Sequence, residues 1–380
     1  MDLDSRSLQR IPSGSDTEFH PQRHQKSWRS RLTPRDRWGK AAIIWATLQL
    51  LAIVVLEAII AKVHKDYHEA LKTSLGTAAD QTQQNPIADA NALTIYHSLF
   101  IVAQVTQWVL VADALWNSST IQMISTTVFN FALFAYSALQ FRQADDIGEK
   151  SISLNVPGLP AAHPTSTWEV VTIIAMGVFC LGWFVITQRL YRVFGWSIFK
   201  NLGADISVRN RLKMYHVYMM LLKLDVFFFV GFDIQFLALV ILNDAVTQDE
   251  SDKWTHGLIA IPLTIGLLVI AFIAVRRESK VMMTATLLGL SGGIGYLIAK
   301  LVDVAQKGAT SKYSGSRKSL TFFESITLAL SIATFIVAIL NFRNFGKGLK
   351  EQLNKARGRD LELDDIHHNA HKEVPRWSLE

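Results

Sequence analysis

The sequence predicts an all-α fold: a polytopic transmembrane helical bundle of eight spans with both termini in the cytosol. Three observations predict it. Half of the 380 residues are hydrophobic and only 18% are charged, where a soluble domain carries about 25%. Apolar runs recur at roughly 20 residues, the length that crosses ~30 Å of hydrocarbon. The net charge of +6 gathers in the N-terminal segment, one internal loop and the C-terminal tail. That is a positive-inside distribution, and no exposed module joins basic and aromatic residues as a nucleic-acid surface would.

Residues 1–40 read as a disordered basic cytosolic tail, rich in Ser, Pro, Arg and Gln and too poor in apolar residues to form a core. No secretory signal peptide precedes Ala41. Arg29, Arg31, Arg35, Arg37 and Lys40 anchor the cytosolic edge of the first span, Ala41–Ala61. A polar segment, Lys62–Asn91, leads to the second span, Ile95–Trp116. Asn117, Ser118 and Ser119 force a tight hairpin into the third, Thr120–Phe141. The loop Arg142–Trp168 contains Pro157, Pro160 and Pro164 and reads as irregular. The fourth span is Glu169–Val193, and residues 194–213 form a basic cytosolic loop. There Phe194, Trp196, Phe199, Leu202 and Ile206 make one apolar face of an interfacial helix, with Gly203 as its break.

The fifth span is Met214–Asn243. An acidic run, 243–253, follows it on the lumenal side. The sixth span, Thr255–Val275, ends at Arg276 and Arg277; the seventh, Val281–Val302, is glycine-rich; the eighth, Leu320–Phe342, leads into a cytosolic tail, 343–380. The transmembrane domain is therefore 41–342. Lys307, Lys312, Arg317 and Lys318 would lie on the lumenal side, against the charge rule. Seven spans with a re-entrant Leu288–Tyr296 would cure that but misplace the basic C-terminal tail, so eight is preferred. Both halves repeat the order span, polar loop, span, short turn, span, polar loop, span. Without matching residues between the halves, chance similarity is the better account of that repeat.

The chemistry sits in polar residues at lipid depth, which are costly unless paired or wetted. At about 100° per residue, Asp225 shares a narrow stripe with Tyr218, Phe229, Phe232 and Phe236. Asp233 lies roughly 80° from it, and Lys223 falls on the opposite side, so Lys223 and Asp225 cannot pair. Lys223 snorkels or joins a structural ion pair. Depth counting places Asp233 with Glu57, Gln235, Lys300, Asp303 and Glu324, a lumenal-side polar cavity between helices one, five, seven and eight. Gln104, Gln107 and Asp113 read as interhelical hydrogen-bond partners, and Gly289 and Gly293 as small residues for close helix packing.

Catalytic and metal signatures are missing. The sequence contains no H-E-x-x-H, no C-x-x-C, no metal-spaced histidine cluster, no G-x-S-x-G and no P-loop, and His367, His368 and His371 read as solvated residues of the tail. Asp225 and Asp233 stand about 12 Å apart along one helix axis, unlike the paired aspartates of an intramembrane protease. The sole cysteine, Cys180, excludes an internal disulfide. No catalytic residue, metal ligand or cofactor is assigned, and the chain reads as non-enzymatic.

The runs FGWSIFKNLGAD and LLKLDVFFFVGFDIQFL resemble the uncharacterised fungal family of multi-span Golgi apparatus membrane proteins, most densely over residues 192–243. The resemblance implies a Golgi or other endomembrane address and a polytopic helical fold, and it supplies no catalytic residues. Two functional readings follow. In the first, the chain transports or senses a small solute or ion through its intramembrane carboxylates. In the second, it is a structural or trafficking protein that recruits cytosolic partners through loop 194–213 and its tails. The lipid bilayer is a partner in both.

Overall fold

Eight helices make up the described part of the chain, which in this computed structural model comprises residues 37–75, 81–153, 165–202, 206–242, 261–307 and 317–346. They are α1 (Arg37–Leu75), α2 (Gln81–Trp116), α3 (Thr120–Ser153), α4 (Ser166–Leu202), α5 (Ile206–Leu242), α6 (Ile261–Arg277), α7 (Lys280–Lys307) and α8 (Arg317–Asn344). No strand occurs among the described residues. Helices α1 to α4, α7 and α8 are long and apolar enough to cross a membrane. Their outer faces carry exposed aliphatics such as Leu51, Leu181 and Val281, which suit contact with lipid chains.

Most of the helices overrun the sequence-derived spans. The segment Lys62–Asn91 is largely helical, because α1 continues to Leu75 and α2 starts at Gln81. On α1 the buried stripe Ala42, Ala46, Gln49, Ile53, Glu57, Ile60, His64 keeps a three-four spacing past Lys62. Packing thus holds the extension in register, and the exposed Lys65–Glu69 pair at 3.8 Å adds local support. Likewise α3 runs to Ser153, so most of the first half of the proline loop is helix. The prolines themselves lie outside the described residues. Residues 194–213 do not form a separate interfacial helix: α4 extends to Leu202 and α5 begins at Ile206. Both tails beyond 37–346, and the acidic run 243–253, also lie outside the described residues.

The helices group into two rings. In the first, α1 packs on α2, α2 on α3, α3 on α4, and α4 closes back on α1. In the second, α5, α6, α7 and α8 close in the same cyclic order. The rings meet where α5 packs on α2 and α3, and α8 on α3. Phe129, Tyr136, Phe227, Phe228 and Phe323 fill that seam; Phe129 meets Phe227 edge-on at 5.2 Å and Tyr136 meets Phe323 at 5.0 Å. Tyr136 also bonds Ser319 across it at 3.0 Å.

The repeat of loop lengths is more than coincidence, because both short turns are built alike. After α2, Ser119 N–H donates to Ala114 O (3.0 Å) and Ser118 N–H to Leu115 O (3.2 Å). After α6, Ser279 N–H donates to Ala274 O (3.1 Å) and Glu278 N–H to Val275 O (3.4 Å). These are the two bonds of a Schellman helix end. The middle residue takes positive φ in each turn, 45° at Ser118 and 50° at Glu278. The following serine then caps the next helix through its hydroxyl, accepting from Gln122 N–H or Met282 N–H. Counting from these turns, buried Met123 and Thr126 correspond to buried Met283 and Thr286. The common element is a residue pattern, A-[LV]-x-x-x-S-x-x-x-M-x-x-T, too sparse to stand out in the bare sequence.

The glycine-rich helix α7 is unbroken from Lys280 to Lys307, so Leu288–Tyr296 does not dip in and return. A Cβ on Gly289 would lie 2.4 Å from Leu267 of α6, whereas one on Gly293 would meet nothing within 4 Å. The tightest approach among the described glycines lies elsewhere. A Cβ on Gly182 of α4 would fall 2.3 Å from the Trp45 ring of α1. Trp45 is held there by Nε1 donating to Phe179 O at 3.4 Å and by an edge contact with Phe179. Gly182→Ala should therefore displace a ring rather than a flexible chain end and cost about 1–3 kcal/mol. A lowered unfolding midpoint in detergent would show it, with Gly293→Ala as the unaffected control.

Candidate functional site

Polar side chains concentrate at three places. The first is the middle of the α1–α4 ring. Gln49 of α1 donates from Nε2 to Gln104 Oε1 of α2 (2.9 Å) and to Asn130 Oδ1 of α3 (2.6 Å). Its Oε1 accepts from Trp183 Nε1 of α4 at 2.6 Å. One side chain from each helix thus meets in a buried knot, and Asn130 reaches on to Cys180 Sγ at 3.2 Å. Each polar group satisfies another that hydrocarbon would leave unpaired. Gln104 therefore has an interhelical partner; buried Gln107 has none.

The second place is the end of the same ring where α1 passes its last apolar turn and α2 and α4 begin theirs. Glu57 Oε2 accepts from His97 Nδ1 at 2.7 Å, and each is 1% exposed. His64 Nε2 donates to Glu169 Oε1 at 3.2 Å, which also accepts from Thr165 Oγ1 at 2.7 Å. The two imidazoles face each other with centroids 5.1 Å apart. The Gln140 amide of α3 comes within 3.4 Å of His97 Nδ1. Three donor atoms, one each from His64, His97 and Glu169, lie within 4.8 Å of one another. Sequence spacing could not show this group, because its members come from three helices and 106 positions of chain. The available signal was polarity at matching depth: each lies where an apolar span meets its polar flank.

The third place is the α5–α8 ring. Asp225 is fully buried and accepts from Thr334 Oγ1 of α8 at 2.5 Å. Lys223, on the other side of α5, forms an ion pair with Asp113 of α2. Lys223 is thus a tie between the two rings. Asp233, Gln235 and Glu324 are buried. Asp233 Oδ2, both amide atoms of Gln235 and both oxygens of Glu324 have no hydrogen-bond partner. Lys300 and Asp303 of α7 are the charged groups that act on Glu324, and Lys300 lies 5.9 Å from the Tyr296 ring. Glu57 is bonded to His97 instead, in the α1–α4 ring, and so serves a different cluster from Asp233 and Glu324. Depth along a helix placed it in the cavity group; the direction in which α1 turns that stripe decides otherwise.

The chain is similar to a UPF0658 Golgi apparatus membrane protein of Schizosaccharomyces pombe, with 26% identity over 282 residues, 69% of this chain and 78% of that one. The resemblance noted over residues 192–243 is thus to a protein family with this relative in it, and the relative is named for the Golgi apparatus membrane. No family model matches the sequence, and no solved structure matches it.

The Lys223–Asp113 pair is partly exposed, with side chains 25% and 35% accessible. Lys223→Met and Asp113→Asn should each lower the unfolding midpoint, and the double variant should lose less than their sum. The coupling expected for such a pair is at most about 1 kcal/mol, and a double-mutant cycle in detergent measures it.

Proposed function

We propose that this homologue of a Golgi apparatus membrane protein is a non-enzymatic polytopic protein that transports or senses a small solute or ion. The eight helices serve as eight spans. That number leaves both termini on the cytosolic side, where the basic flanks Arg37, Lys40 and Arg343 suit the positive-inside rule. The Glu57–His97 end of the first ring then faces the lumen.

One observation carries the reading: Asp233 and Glu324 are buried, and Asp233 Oδ2 and both oxygens of Glu324 have no hydrogen-bond partner in the protein. A carboxyl group at lipid depth without a hydrogen-bond donor is either protonated or met by a bound cation or polar solute. The setting favours such a ligand. The buried stripe of α8 carries Glu324, Thr327, Ser331 and Thr334 in succession, and α8 packs on α5, which carries Asp225, Asp233 and Gln235. These groups form a polar seam inside the second ring.

The structural or trafficking reading has its own support. Lys223, Asp113 and Asp225 all have protein partners, as charges that merely fix helix packing should. The two readings separate by residue. Asp233→Asn and Glu324→Gln should leave abundance and Golgi localisation of a fluorescent fusion unchanged. The purified variants should also lose the thermal stabilisation that one of a panel of cations (Na⁺, K⁺, Ca²⁺, Mn²⁺) or polar solutes gives the wild type. Retention of every such shift, or degradation of both variants in cells, would favour the packing role instead.

A further inference from the structure

We propose that His64, His97 and Glu169 bind a divalent transition-metal ion of the zinc class at the end of the first ring. The donor set is two imidazole nitrogens and one carboxylate oxygen, drawn from α1, α2 and α4, with one atom of each within 4.8 Å of the others. Zinc takes such donors at about 2.0–2.2 Å, so small side-chain rotations bring them onto one ion. Nitrogen and carboxylate donors suit zinc better than calcium or magnesium, which take oxygen alone.

Two further features mark the group as built for a ligand. His97 is 1% exposed, and its Nδ1–H donates to Glu57 Oε2 at 2.7 Å. That bond places the proton on Nδ1 and leaves Nε2 with a lone pair. His97 Nε2 has no hydrogen-bond partner in spite of its burial. A carboxylate on the far nitrogen of a ligating histidine is the usual second partner in zinc sites, where it orients the ring and raises its basicity. Glu169 repeats the pattern. Thr165 donates to Oε1 at 2.7 Å, while buried Oε2 has no partner. Unmet buried atoms occur elsewhere in this ring, as at Gln107, but here a nitrogen and a carboxylate oxygen able to ligate a metal belong to one three-residue donor group.

Binding needs no redox step. His64 Nε2 gives up its hydrogen bond to Glu169, the imidazole carries its proton on Nδ1, and the Nε2 lone pair goes to the metal. Two neutral imidazoles and one carboxylate leave the site with net charge +1, which the Glu57 carboxylate offsets. Three protein ligands leave a fourth position for water or a lumenal donor. The ion would tie α1, α2 and α4 together at the end where the ring carries its polar extensions. This site lies apart from Asp233 and Glu324 and does not depend on the reading given to them.

The test uses the full-length chain in detergent, purified through a tag without histidine, stripped with chelator and titrated with Zn²⁺ against a competing indicator. The wild type should retain stoichiometric zinc by elemental analysis. Co²⁺ should give the intense visible bands of a four-coordinate site. His97→Ala and Glu169→Gln should abolish both signals. Glu57→Gln should keep the fold and weaken affinity by about 10–100-fold, so the test survives if the ligand variants do not fold. Asp233→Asn should retain the metal, which separates this proposal from the second-ring reading. Wild-type protein that holds no more Zn²⁺ or Co²⁺ than His97→Ala, or unchanged affinity in Glu57→Gln, overturns it.

Discussion

A polar side chain at lipid depth has no water to bond, so it must find its partner on another helix. The Gln49 knot is where this constraint acts most fully. Gln49 uses its amide donors on Gln104 and Asn130 and its acceptor on Trp183, so α1 is tied to each of the other three helices of its ring. Slippage of any one helix by a turn would strand several buried groups at once. Interhelical bonds in membranes contribute modestly one at a time, ~0.6–2 kcal/mol. Their effect here is to specify register, because the apolar contacts around them would tolerate neighbouring registers nearly as well.

With register fixed, the outer end of the ring follows. His64 lies 15 residues beyond Gln49 on the same three-four stripe of α1, and Glu169 lies 14 residues before Trp183 on α4. At 1.5 Å per residue both are ~21–23 Å from the knot. Two neighbouring helices pinned at the same middle level therefore carry His64 and Glu169 to the same outer level. Their 3.2 Å contact is a consequence of the pinning rather than an independent feature. The second ring has no such shared knot: Asp225–Thr334, Thr327–Phe228 O and Asn341–Met214 O join α5 to α8 at separate levels, and Tyr218 reaches Met283 of α7. Asp233, eight residues on from Asp225 as Glu57 is from Gln49, has no counterpart to His97 among its bonds.

The sequence revealed the class and most of the helices, because apolar length is a local property. It also revealed that Lys223 and Asp225 face apart, since that follows from helical periodicity. What it hid was local in chain but tertiary in cause. The polar segment after Ala61 looked like a loop because its composition is polar, yet Ile60 and His64 continue the buried stripe and packing keeps it helical. The site was half legible: Asp225, Asp233, Gln235 and Glu324 are buried, as polarity within a span implied. Glu57 went to the wrong neighbours because depth was readable and azimuth between helices was not. The histidines escaped notice because a metal-ligand motif is sought within one segment, and these stand on two.

The two rings also explain why such different polar content can coexist in one chain. Both use the same capped turn between their second and third helices, with Ser119 and Ser279 in matching roles. The turn fixes hairpin geometry through backbone bonds and a hydroxyl, and it makes no demand on the side chains that line the ring interior. One ring can therefore pair its buried polar groups across four helices, with the exceptions of Gln107, His97 Nε2 and Glu169 Oε2 among them. The other can leave Asp233 and Glu324 unmet without losing its hairpin. The aromatic seam of Phe129, Tyr136, Phe227, Phe228 and Phe323 joins the rings by apolar contact, with Lys223–Asp113 and Tyr136–Ser319 as polar ties across it. The two polar clusters therefore lie in different rings on either side of that seam. The physical separation of the clusters is thus a property of where the fold puts its aromatic residues.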